Sequence, residues 1–274
     1  MTPRKVHALL AASLANPSLI EALRHEPDRV RRYGVEPGSV DLAALQSFAG
    51  LTAKVRHTAL RDELPMTFRL LSTEGLEIDV FAAYALHVSL EGRQFAPTTA
   101  ERARDFIAFV GTWLDRENPT HLLLWDLMRH EHSIARLTQS RVRPPGEARA
   151  GELRPRPPGG APCLRGEVLL HEMTSDPRVA IARLQGREPD LRGLGSAERY
   201  VAYWSPYDAS GMSVVDLDLL GYCTLRMVDG ETSALEIDRA LGGKGRKPRK
   251  NLLRLLQQLA AIGIIAFDDP DGSA

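Results

Sequence analysis

Apolar positions along residues 1–140 recur at the three-to-four-residue spacing of a helix face, and beyond residue 162 short apolar runs alternate at the spacing of strands. The first half predicts a helical bundle, and its punctuation agrees. Thr2-Pro3 and Asn16-Pro17 each set a capping side chain before a proline, whose missing N–H costs a first helical turn nothing. Tyr33-Gly34 reads as a helix stop, followed by a turn at Glu36-Pro37-Gly38. Over residues 41–61, Leu42, Leu45, Phe48, Leu51, Val55 and Leu60 form one stripe with Lys54, Arg56 and Arg61 left for solvent, predicting one long amphipathic helix. Further helices are expected from Pro65 to Gly75, over 76–88, behind the capping box Thr98-Thr99-Ala100-Glu101, and from Pro119 through Met128.

Residues 141–162 break the pattern with six prolines, four glycines and the arginines Arg141, Arg143, Arg149, Arg154 and Arg156. Such a composition cannot pack a core and reads as a hydrated linker. Beyond it, strands are expected at 167–172, 179–184, 200–204 and 212–217, with residues 206–211 turning the last two into an antiparallel hairpin. Helices at 218–227, 233–241 and 248–261 follow, then a stop at Gly263 and a closing apolar run over 264–267. The order predicts an α+β chain: a helical domain over 1–140 and a winged-helix-like domain with a small antiparallel sheet over 163–274.

Composition narrows the chemistry. Of 274 residues 43% are hydrophobic, and 35 Lys and Arg balance 35 Asp and Glu, so no global field draws the chain to nucleic acid or an anionic membrane. Arg4 and Lys5 before the apolar run at 8–12 superficially resemble a signal peptide, but Ser13 and Asn16 interrupt it, and the segment reads as an amphipathic helix of a soluble, cytoplasmic protein. Only two cysteines occur, Cys163 and Cys223, without zinc spacing. His130 and His132 flank Glu131, but residues two apart on a helix point about 200° apart and cannot converge on one metal. No nucleophile elbow, Walker loop or dinucleotide fingerprint is present. Neither a metal nor a catalytic residue is therefore expected in this chain.

Two features point to binding. The strand Met212, Val214, Val215 and Asp216, beside the helix carrying Lys250, Leu252, Leu253, Arg254, Leu255 and Leu256, is a candidate edge for an extended peptide to join as an added strand. Lys244, Arg246, Lys247, Arg249 and Lys250 concentrate positive charge before the last helix, which also suits a DNA-binding regulator.

Four segments carry a resemblance: residues 61–71 (RDELPMTFRLL), 76–81 (LEIDVF) with Tyr84, 103–109 (ARDFIAF) and 126–131 (DLMRHE). Together they resemble the accessory subunits, of the MbnC and TglI type, that partner multinuclear iron oxygenases in the biosynthesis of ribosomal peptide natural products. The likeness extends loosely into the C-terminal half. It implies a heterodimer in which a TIM-barrel-like partner holds the iron and oxidatively rearranges a cysteine of a precursor peptide, while this chain recognises the precursor. No cofactor or catalytic residue is implied in this chain. Phe68, Arg69, Phe81, Arg129, His130 and Glu131, which lie in the resembling segments, are the residues assigned to docking the oxygenase. The long Pro/Arg segment departs from the pattern.

Overall fold

Helices account for every described element up to residue 142, and strands appear only after residue 161, in a computed structural model that describes residues 3–16, 18–142, 161–194, 197–207 and 211–267. The expected linker lies almost wholly outside the described residues. The chain forms two compact units, Met1–His132 with Pro177–Gly193, and Ser133–Asp176 with Leu194–Ala274.

In the first unit, α1 (Pro3–Ala15) and α2 (Ser18–His25) lead through a 3-10 segment (Pro27–Tyr33) to Gly34, whose φ of 68° is the left-handed stop expected there. Next come α3 (Leu42–Arg56), α4 (Leu60–Glu63), α5 (Pro65–Thr73), α6 (Glu77–Leu90), α7 (Thr99–Trp113) and α8 (Pro119–Val142), of which residues 119–132 belong to this unit. Asp41 caps α3 through the amides of Ala43 and Ala44, and the Thr98–Glu101 capping box opens α7. Phe68, Phe81, Tyr84 and Phe106 form an aromatic core, with the Phe81 and Phe106 rings stacked at 4.9 Å.

Four expectations change here. The long helix over 41–61 breaks after Arg56, with His57 closing α3 before the short α4. Its apolar stripe divides: Leu45 and Leu60 are buried, but Phe48, Leu51 and Val55 are exposed, and Ala49, Gly50 and Ala53 are buried in their place. Small side chains let α3 lie against α6 so closely that a Cβ on Gly50 would stand 2.5 Å from the Ile78 carbonyl oxygen. Nor are Lys54 and Arg61 left to solvent, because both pair with Glu77, a carboxylate buried in the first turn of α6, Lys54 at 2.6 Å. Finally, residues 179–184 are not a strand. Pro177, Ala180 and Leu184 are the buried positions of α9 (Pro177–Leu184), which packs on α5, and Arg69 donates to the Gly186 carbonyl at 2.8 Å. The helical spacing of those three positions outweighs the local alternation.

The second unit holds two antiparallel sheets. Strands β2 (Gly166–Met173), β3 (Arg199–Pro206) and β4 (Ser213–Leu217) form one in the order β2-β3-β4, so the expected hairpin is present, in the register Ala202↔Val215 and Tyr203↔Val214. The closing run, β5 (Ile265–Phe267), instead pairs with β1 (Pro162–Leu164) in a second sheet. The three expected helices are α10 (Leu219–Leu225), α11 (Ala234–Ala240) and α12 (Lys250–Ala261). Alternation along the strands gives the larger sheet two covered faces. Ala202, Trp204, Val215 and Leu217 face the leucines of α12, whereas Val201, Tyr203, Met212 and Val214 meet Ile134 and Leu137 of α8. The architecture is α+β, with small antiparallel sheets. No helix among the described residues is long and apolar enough to cross a membrane.

Candidate functional site

In β4, Val214, Val215 and Leu217 are half-buried while Ser213 and Asp216 are exposed. Among the described residues β4 pairs with β3 alone, so it is an outer strand of the larger sheet. Its side chains are committed to the fold. Met212 and Val214 pack toward α8, and Val215 packs toward the α10–α12 core. Asp216 meets Arg199 at 3.4 Å, and Arg199 also holds Asp176 at 2.9 Å. What β4 offers a partner is therefore main-chain N–H and C=O rather than a side-chain pocket.

Beside the end of β4, Asp218 caps α10 by accepting from the Gly221 amide at 2.7 Å. The ring of Tyr200 of β3 lies tilted against that of Tyr222 of α10, with centroids 4.9 Å apart. A hydrogen bond to Glu198 pushes the Tyr200 hydroxyl up to about 12, and burial, reinforced by Glu172, raises that of Tyr222.

Helix α12 buries Leu252, Leu256 and Leu259 and leaves Leu253 41% exposed, with Lys250 and Arg254 also exposed on its outer side. Leu253 is thus an apolar side chain without a place in the core. The basic run before the helix is less uniform than its composition suggests. Arg249 is a structural residue: its Nε donates to the buried Asp238 at 2.7 Å and its guanidinium also donates to the Leu241 carbonyl at 2.9 Å. Lys244, Arg246, Lys247, Lys250 and Arg254 make no ion pair among the described residues.

The residues assigned to docking sit differently. Phe68 and Phe81 are 1% and 0% exposed and pack with tilted rings in the aromatic core, so neither presents a surface to a partner. Glu131 is also internal: its two oxygens accept the amides of Met66 and Thr67, both at 2.8 Å. It thereby caps α5, whose preceding residue, Leu64, carries no capping side chain. Burial pushes its carboxyl up, against the two amides that favour the ionised form. His130 is buried, and Arg129 pairs with Asp126 at 2.7 Å while lying over the Trp125 ring. Over residues 123–132, α8 is buried around most of its circumference, so His130 and Glu131 offer little surface while Arg129 is half-buried. Arg69, half-buried, is held by Gly186.

Cys163 on β1 and Cys223 on α10 are free thiols, both half-buried. Among the described residues no group of three or more His, Cys, Asp and Glu is placed to hold a metal ion.

Sequence reasoning passed over His57, which the fold singles out. It is 0% exposed, and among the described residues neither ring nitrogen has a hydrogen-bond partner. Its ring lies against Phe81 at 5.8 Å, Tyr84 at 5.4 Å and Phe95 at 4.5 Å. Burial, with the positive charges of Arg102 and Arg56, lowers its pKa to about 4. The Tyr84 hydroxyl is likewise buried without a partner, and burial raises its pKa to about 12.

No protein-family model matches this chain, and no curated protein matches it.

Proposed function

We propose that this chain is the precursor-recognition subunit of a peptide-modifying enzyme. It receives an extended segment of a ribosomal precursor peptide as a fourth strand on β4, flanked by Leu253, Lys250 and Arg254 of α12. The observation that carries the reading is the outer edge of β4 in a sheet whose two faces are already covered. A main-chain edge binds an extended peptide with little demand on its sequence, and an adjacent apolar side chain and two cations supply selection. The finer part of the proposal rests on the sequence resemblance. The chain works in the cytoplasm, as a non-catalytic heterodimer partner of a TIM-barrel-like, multinuclear iron oxygenase that holds the metal and oxidatively modifies a cysteine of the precursor.

Two experiments test it. Co-expression of the tagged chain with its candidate oxygenase is expected to yield an iron-containing heterodimer, and recovery of a metal-free single chain beside soluble oxygenase would sink the partnership. The edge is tested with proline. Neighbouring residues of an antiparallel strand send their N–H groups to opposite sides, so Val214→Pro and Val215→Pro differ in kind. One removes a donor to β3 and lowers the melting temperature. The other removes an outward donor, and is expected to leave melting within a few degrees while weakening precursor binding about tenfold or more. Unchanged affinity in both folded variants removes β4 from the reading.

A specific observation favours a second reading. The cations Lys244, Arg246, Lys247 and Lys250 surround the start of α12, where a helix N-terminus suits phosphate, so a winged-helix DNA-binding regulator is the alternative. Titration with duplex at low salt separates the two.

A further inference from the structure

The first unit carries an open cleft of about 670 Å³, a size typical of small-molecule sites. Ala53, Ala85, Val88 and Phe95 give it an apolar side, and Asn16, Arg56, Ser89 and Arg93 a polar one. No carboxylate lines it among the described residues. The two arginines differ. Arg93 is neutralised from behind by Glu91 and Asp105, each at 3.3 Å. Arg56 has no carboxylate partner among the described residues, and its guanidinium lies 5.3 Å from the centre of the Phe95 ring.

Phe95 lines the cleft and also packs against the rings of His57 and Tyr84. Arg102 adds a further cation close by, donating to the Arg56 carbonyl at 3.4 Å. The polar rim is therefore electropositive, over a wall that is aliphatic and aromatic. A neutral apolar molecule would cover Arg56 without offering it a counter-charge, and a cation would be repelled. An anion joined to an apolar body satisfies both sides at once.

We infer that this cleft is a binding site for a small organic anion, a monocarboxylate with an aliphatic or aromatic body, whose carboxylate meets Arg56 and whose body lies on Val88 and Phe95. The site is built entirely from residues of the first unit and is independent of the peptide edge, so either reading can fail without the other.

Decanoate is the probe, and decylammonium, with the same chain and the opposite charge, is the control. Calorimetric titration of the whole chain is expected to show saturable one-to-one decanoate binding and none of decylammonium. Amide shift changes should concentrate at Ala53, Ala85, Val88 and Phe95, with the ring nitrogens of His57 as a second reporter behind the wall. Arg56→Gln, an exposed position, is expected to fold normally and to weaken decanoate about tenfold, the value of one charge-assisted contact. Ala85→Leu adds bulk to the apolar wall and should weaken decanoate binding, and an unchanged near-ultraviolet spectrum separates this from unfolding. Equal binding of the two probes, an unaffected Arg56→Gln, or no saturable binding up to the solubility of decanoate each overturns the inference.

Discussion

His57 sets the acid sensitivity of the first unit. Its ring is enclosed by Phe81, Tyr84 and Phe95, and the charges nearest it, Arg102 and Arg56, are both positive, so the native state holds it neutral with a pKa near 4. An unfolded chain takes up that proton near 6.5. Between those values the unfolded state binds more protons, so stability is fully present above about pH 6.5 and falls as pH drops toward 4. The shift corresponds to about 3 kcal/mol across the window. His57→Phe keeps an aromatic ring in the slot and removes both unpartnered nitrogens and the titration. Urea midpoints at pH 7, 5.5 and 4 should show the variant gaining on the parent by that amount as pH falls, and parallel curves would falsify the assignment. His57 was illegible in the sequence because its neighbours arrive from α6 and from the segment after it, while locally it stands inside an expected helix. Glu131 was legible only as a polar residue near two histidines. Its role in capping α5 spans 64 residues to Thr67, beyond any local pattern.

Helix pairing is decided by surfaces that periodicity alone misreads. The largest apolar residues of α3, Phe48, Leu51 and Val55, align at helical spacing yet face outward, because Ala49, Gly50 and Ala53 allow α6 a close approach that leucine-sized side chains would prevent. Gly50→Val should therefore destabilise by about 2–3 kcal/mol, since the Cβ meets the Ile78 backbone and the overpacking cost exceeds the small gain in helix propensity. Phe48→Ser, on the outward stripe, should shift stability by no more than about 0.5 kcal/mol. Denaturant midpoints of both variants test the assignment of faces, and the reverse order of effects would restore the stripe to the core. Where an element carried its own chemical punctuation the sequence was sufficient: the Thr98–Glu101 box and the Gly34 stop both stand where they were read. Residues 179–184 misled because six residues alternating in size satisfy both periods, and only Pro177 and the contact with α5 separate them.

For the whole molecule, the α+β class was legible because the change of period near residue 162 is a change of architecture, whereas which strand forms an edge depends on pairings, β1 with β5 among them, that no local pattern encodes. Charge at this scale separates the two functional readings. Acidic and basic residues balance at 35 each, so any electrostatic binding must come from the cluster around α12 and not from the overall field. At a slope of about −0.9 per phosphate neutralised, Lys244, Arg246, Lys247, Lys250 and Arg254 acting together would cost duplex binding roughly four decades of affinity over a tenfold rise in salt. An added strand draws its affinity from main-chain hydrogen bonds and apolar contact at Leu253, which salt screens weakly, leaving only Lys250 and Arg254 at the flank. Precursor binding, followed by fluorescence anisotropy from about 50 to 500 mM salt, is therefore expected to weaken by no more than about tenfold. Lys244→Glu combined with Lys247→Glu should leave precursor affinity within about twofold while abolishing any duplex binding, because those positions precede the helix rather than line the edge. A steep salt slope for the precursor, lost in that double variant, would move recognition from the strand edge to the basic run.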